Sequence, residues 1–126
     1  MSVDSWQPVK PPSQLSQAQL NQLFTISQGQ PKECDFTSEL EFIQPLAHLD
    51  KKIWEEIADS LDQNQQINLI GLFTLAEEQG NWYLGEKSPV IPLFKALRRQ
   101  HGIDKPLVKW VKSHTQNKFL PFGPLL

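Results

Sequence analysis

The sequence has few of the residues that build covalent and metal-based sites. Cys34 is the single cysteine among 126 residues, so no internal disulfide can form and no cysteine pair is present to hold zinc. The three histidines, His48, His101 and His114, are never four positions apart, and none has a glutamate three positions before it. The spacing of helical metal ligands is therefore missing. We expect no metal and no other cofactor.

Long hydrophobic runs are also missing. The longest, from Ile67 to Ala76, is interrupted by Asn68, Gly71 and Thr74 and is far shorter than the roughly 20 residues that cross a membrane. The first residues lack the apolar stretch of a secretory signal, and Ser2 stands where N-myristoylation requires glycine. We expect a cytoplasmic protein without membrane attachment.

The short motifs of common enzymes do not occur. The sequence contains no GxSxG, HExxH or GxGxxG pattern. Two pairs of adjacent carboxylates, Glu55–Glu56 and Glu77–Glu78, fall on expected helices, where neighbouring side chains point about 100° apart. We interpret both pairs as solvated charge and expect no catalytic residues. An enzyme without a recognisable motif is the third functional alternative, with a site near Trp82, Tyr83 and Lys87.

The stretch GNWYLGEKSP, residues 80–89, is close to a phosphate-binding loop but differs at a decisive position. That motif is GxxxxGK[ST], whereas here Glu86 separates the second glycine from the lysine. An acidic side chain in a nest of N–H groups would repel phosphate. We therefore predict a loop between two helices, with Gly80 ending the first and Ser88 capping the second.

Helix signals dominate what is present. Ser16 with Gln19 forms a capping box, and Asp50, Asp62 and Asp104 are good N-caps. The run INLIGLFTLAEEQG is apolar on nearly all sides, and its composition favours a buried central helix. No segment alternates like a strand. The sequence predicts an all-α fold, a bundle of about five to six short helices.

Prolines refine these predictions. Residues 1–12 are expected to be a flexible arm, residues 13–126 a single helical domain, and residues 118–126 an extended apolar tail packed on it. Pro45 is expected to stop or kink a short helix, and Pro92 to delay the regular part of the next. On the last helix, Leu107, Val108 and Val111 should pack inward.

Charge is divided unevenly along the chain. Residues 1–86 carry four basic and thirteen acidic side chains, a net −9, whereas residues 87–126 carry eight basic and one acidic, a net +7. Helical spacing places the central cations of the second part on the outer faces of the last two helices. The predicted partner-binding or anion-binding residues are Lys95, Arg98, Arg99, Lys105, Lys109 and Lys112.

Such a basic face suits a negatively charged partner. We expect a non-enzymatic protein-binding, adaptor or regulatory module that meets an acidic protein surface. The alternative is binding to the RNA or DNA backbone through the same residues, although few side chains there could read base edges. The two halves could instead neutralise each other, within one molecule or between copies of a homo-oligomer. The apolar tail offers a second route to self-association.

Overall fold

A computed structural model describes residues 15–82, 84–117 and 119–121. Within them the chain is all-α and contains no strand, which confirms the predicted fold class. The expected arm, Tyr83, and residues 118 and 122–126 of the expected tail lie outside the described residues. The helices are α1 (Gln17–Ile26), α2 (Leu40–Ala47), α3 (Lys51–Ser60), α4 (Gln63–Gly80), α5 (Val90–His101) and α6 (Lys105–His114).

Four helices, α1, α3, α4 and α6, begin where the capping chemistry predicts. The Ser16 hydroxyl accepts a hydrogen bond from the Gln19 N–H at 3.1 Å, and Gln19 Oε1 accepts one from the Ser16 N–H at 3.0 Å. Asp62 and Gln65 repeat this reciprocal arrangement at the start of α4. Each such cap satisfies N–H groups that have no partner inside the helix and contributes about 1 kcal/mol. Asp50 and Asp104 cap α3 and α6.

Helix α4 is the centre of the bundle. Every residue from Leu69 to Glu77 is buried, because α1, α2, α5 and α6 all pack against α4, while α3 packs on α5. Trp54 of α3 meets the Phe73 ring edge to face, with centroids 5.1 Å apart. The Trp54 indole N–H also donates to the Leu46 carbonyl at 2.9 Å, which fixes α3 against α2.

At two prolines the structure differs from the prediction: Pro45 does not stop α2, and Pro92 does not delay the start of α5. Helix α2 continues for two residues beyond Pro45. Pro45 and Glu41 are both exposed, so water can satisfy the Glu41 carbonyl that loses its helical partner. Helix α5 begins at Val90, not at Pro92, because Pro92 lies in the first turn, where the missing N–H has no helical acceptor to lose.

Gly80 has a different role from the predicted one. It is the last residue of α4, and Asn81 after it takes the left-handed conformation, with φ of 55°. A Cβ on Gly80 would lie 1.9 Å from Cζ3 of Trp82. The glycine therefore lets the buried Trp82 ring fold back onto the helix end.

Gly71 lies in the middle of α4 and allows the chain near residue 30 to approach closely. A Cβ at this position would meet the Gln30 Cβ at 2.8 Å and the Pro31 Cα at 3.0 Å. A glycine-to-alanine change inside a helix normally stabilises it by about 1 kcal/mol. At Gly71 overpacking reverses that sign, because backbone atoms would have to move.

We expect Gly71→Ala to lower the free energy of unfolding by roughly 1–3 kcal/mol in urea denaturation. The matched control is Gln63→Ala at the exposed start of the same helix, which should stay within about 0.5 kcal/mol of the parent. A Gly71→Ala protein as stable as the parent or more stable would show that α4 does not contact residues 30 and 31 this closely.

Candidate functional site

The cations of α5 lie beside acidic residues of the same molecule. Lys95 and Arg99 line a cavity of about 250 Å³ together with Glu55 and Asp59 of α3. The Arg99 guanidinium donates a hydrogen bond to the Asp59 carboxylate. Arg98 is exposed on the same helix. This part of the predicted basic face is therefore partly neutralised by α3.

The cations of α6 surround a separate surface groove. Lys105, Lys109 and Lys112 are exposed and line a cavity of about 620 Å³ together with Pro106 and Val108. Val108 is half-buried, so the prediction that it packs inward holds only in part, whereas Leu107 and Val111 are buried in the core. We call this shallow surface the α6 groove: its apolar floor is formed by Pro106 and Val108, and three exposed lysines line it as well.

Five of the six predicted cations are therefore divided between two surroundings, and Arg98 lines neither of them. Lys95 and Arg99 belong to the cavity shared with α3, and the three lysines belong to the α6 groove. The apolar floor is the feature that the charge pattern did not predict. Val108 lies three residues from Lys105 and four from Lys112, which places it beside them on one side of the helix.

Glu77 corrects another prediction. We interpreted the Glu77–Glu78 pair as solvated charge, but Glu77 is fully buried. The Ser88 hydroxyl donates a hydrogen bond to one Glu77 carboxyl oxygen, and Asn117 Nδ2 lies 3.5 Å from the other. Burial raises the pKa of Glu77 from its ordinary 4.5 to about 7, despite hydrogen bonds from Ser88, Asn117 and the Leu84 backbone that favour the charged form.

The 80–89 stretch is a connection between helices, as predicted. A 3₁₀ turn spans Gly85–Lys87, and Trp82 is buried at the edge of the core. Ser88 Oγ accepts from the Val90 N–H at 3.2 Å, although Pro89 occupies the N-cap position. Lys87 lines a cavity of about 620 Å³ whose other charged residues are two carboxylates, Asp50 and Glu86, and a second lysine, Lys51.

Comparison with known proteins assigns no function. The chain matches no protein-family model, no curated protein and no solved structure. Within the part of the chain that the structure describes, no group of three or more His, Cys, Asp or Glu side chains could hold a metal ion. No helix among residues 15–82, 84–117 and 119–121 is long and apolar enough to cross a membrane.

The Arg99–Asp59 ion pair gives a testable measure of how strongly α3 engages α5. Their side chains are 60% and 57% exposed, so solvent and salt screen the attraction. A double-mutant cycle with Asp59→Asn and Arg99→Gln should give a coupling energy below about 1 kcal/mol, decreasing with salt. A salt-independent coupling of several kcal/mol would mean that the pair is dry and that α5 is unavailable to a partner.

Proposed function

We propose that this chain is a small, non-enzymatic protein-binding module of the cytoplasm, and that the α6 groove receives a short acidic, amphipathic segment of a partner protein. The observation that carries the proposal is the combination of an apolar floor with three exposed lysines on one helix. Neither feature alone would select a partner. Together they select a partner segment whose apolar side chains are flanked by carboxylates.

The chemistry of lysine supports a protein partner. Its aliphatic stem adds apolar contact around Pro106 and Val108, while the ammonium group stays in water. An acidic segment would therefore gain apolar burial from the floor and charge attraction from its edge. Lys95, Arg98 and Arg99 of α5 contribute to the same positive field, but Arg99 already contacts Asp59, so we assign them a secondary part.

Nucleic-acid binding is the alternative use of the same cations. A phosphate backbone needs the positive charges but gains little from an apolar floor. The two proposals therefore differ in one respect. A protein segment requires both the apolar floor and the lysines of the α6 groove, whereas RNA or DNA requires only the lysines. A second copy of this chain could also supply the acidic surface, since residues 1–86 carry a net −9 from four basic and thirteen acidic side chains.

Measurements of binding to defined probes distinguish a protein partner from a nucleic acid. The probes are a labelled helical peptide with Leu on one face and Glu on the other (the Leu/Glu peptide), an all-Glu peptide of equal length, and a single-stranded RNA of mixed sequence. We expect the Leu/Glu peptide to bind most tightly, with an affinity that falls as salt rises. Lys105→Glu, Lys109→Glu and Lys112→Glu together should weaken its binding at least about tenfold, equivalent to about 1.4 kcal/mol.

The control is the triple change Lys32→Glu, Lys51→Glu and Lys52→Glu, which reverses the same number of charges away from α6 and should change peptide affinity less than about twofold. Equal losses in both variants, or no peptide binding at low salt, would overturn the proposal. Tighter binding of RNA than of the Leu/Glu peptide would favour the nucleic-acid alternative. Concentration-dependent mass in light scattering, abolished by the α6 changes, would identify a second copy as the partner.

A further inference from the structure

One carboxyl group joins three separate parts of the chain. Glu77 lies near the end of α4, and Asn117 follows α6. Ser88 ends the stretch of residues 84–88 that contains the 3₁₀ turn Gly85–Lys87, which we call the 84–88 turn. The Ser88 hydroxyl and the Asn117 amide both reach the fully buried Glu77 carboxyl. Ser88 and Asn117 lie 11 and 40 residues from Glu77 along the chain, so this contact is purely tertiary.

Asn117 extends the contact into a small network. Its Nδ2 also donates to the Gly85 carbonyl at 3.0 Å, and its Oδ1 accepts from the Phe119 N–H at 3.0 Å. Leu120, the next residue, is buried in the core. We call residues 115–117 and 119–121 the C-terminal segment. Asn117 and the carboxyl that it contacts therefore form one of the attachments of this segment to the 84–88 turn and to α4.

The surroundings of Glu77 favour the protonated carboxyl. The hydrogen bonds from Ser88, Asn117 and the Leu84 backbone favour the charged form, but these groups are all neutral, and the burial of the carboxyl outweighs them. The neighbouring Glu78 carboxylate repels a charge on Glu77. Glu86 and Lys87 of the 84–88 turn are exposed at the surface. Glu78 is itself committed to the same segment, because it accepts from the Gln116 N–H at 2.9 Å and the Thr115 hydroxyl at 3.3 Å.

We propose that Glu77 is a protonation-controlled latch: while it carries a proton, it holds the C-terminal segment and the 84–88 turn on α4, and loss of the proton favours local opening of both. The proposal rests on the burial and the contacts of Glu77. It does not depend on the α6 groove or on its partner.

The direction of the pH effect follows from the two states of the carboxyl. In the closed state the pKa of Glu77 is raised to about 7 from an ordinary 4.5, and opening returns the group to water and to its ordinary value. The closed state therefore binds the proton more tightly. Its stability is complete below the ordinary pKa, falls as pH rises between the two values, and is lowest above pH 7.

Hydrogen–deuterium exchange at the backbone amides tests this latch in the full chain. After correction for the intrinsic exchange rate, the opening constant of the C-terminal segment and the 84–88 turn should rise about tenfold between pH 6 and pH 8.5. Glu77→Gln, a neutral group of the same shape, should remove this rise. Glu86→Gln, an exposed carboxyl on the same turn, should keep it.

Hydrogen–deuterium exchange in the parent protein alone can refute the proposed latch. If both segments exchange only as slowly as the amides of residues 69–77 in the α4 core, there is no local opening and Glu77 acts only on global unfolding. Equal pH dependence in the parent and in Glu77→Gln would also refute the proposal. If Glu77→Gln does not fold, exchange in the parent still decides whether the C-terminal segment and the 84–88 turn open locally, because their amides can be compared with those of residues 69–77.

Discussion

The burial of α4 from Leu69 to Glu77 is the constraint on which the rest of this structure depends. A helix surrounded by others on every side has no solvent-facing side on which to place its polar groups. Its apolar residues build the core, as in the contact between Phe73 and Trp54. Every polar side chain that α4 carries within the core must find its hydrogen-bond partner inside the protein.

Several polar side chains of α4, in the core and near its exposed end, bind other segments of the chain, although Gln66 Oε1 is buried without a hydrogen-bond partner among the described residues. Gln79 accepts from the Phe36 N–H at 2.6 Å and donates to the Cys34 carbonyl at 2.5 Å, which ties the segment before α2 to α4. Gln66 donates to the Ala58 carbonyl at 2.9 Å and so reaches α3. Glu77 and Glu78 hold the C-terminal segment. The non-helical connections are thus ordered by side chains of the central helix.

Local chemistry explains which features could be predicted from the sequence. An N-cap acts within three residues, so Ser16, Asp50, Asp62 and Asp104 could be recognised without any knowledge of tertiary contacts. The basic outer faces of α5 and α6 follow in the same way from helical spacing. The pairing of Arg99 with Asp59 could not be predicted, because it joins residues 40 positions apart.

Glu77 shows where residue type misleads. A glutamate is expected at the surface, yet position 77 lies four residues after Phe73 and seven after Ile70, both of them in the core. Its spacing indicated burial, while its charge indicated exposure. The spacing was the better guide, because Ser88 and Asn117 supply the hydrogen bonds that make the burial tolerable. Neither partner can be identified from the neighbourhood of Glu77 in the sequence.

The attachment of the connecting segments to α4 depends on a dry environment around the Glu77 carboxyl. A site-resolved ¹³C NMR titration of the Glu77 carboxyl in the folded protein measures this directly. We expect a midpoint near the pKa of about 7 that burial imposes. A midpoint at the ordinary 4.5 would show that water reaches this carboxyl. In that case α4 is not enclosed as described, and its end does not hold the connecting segments in place.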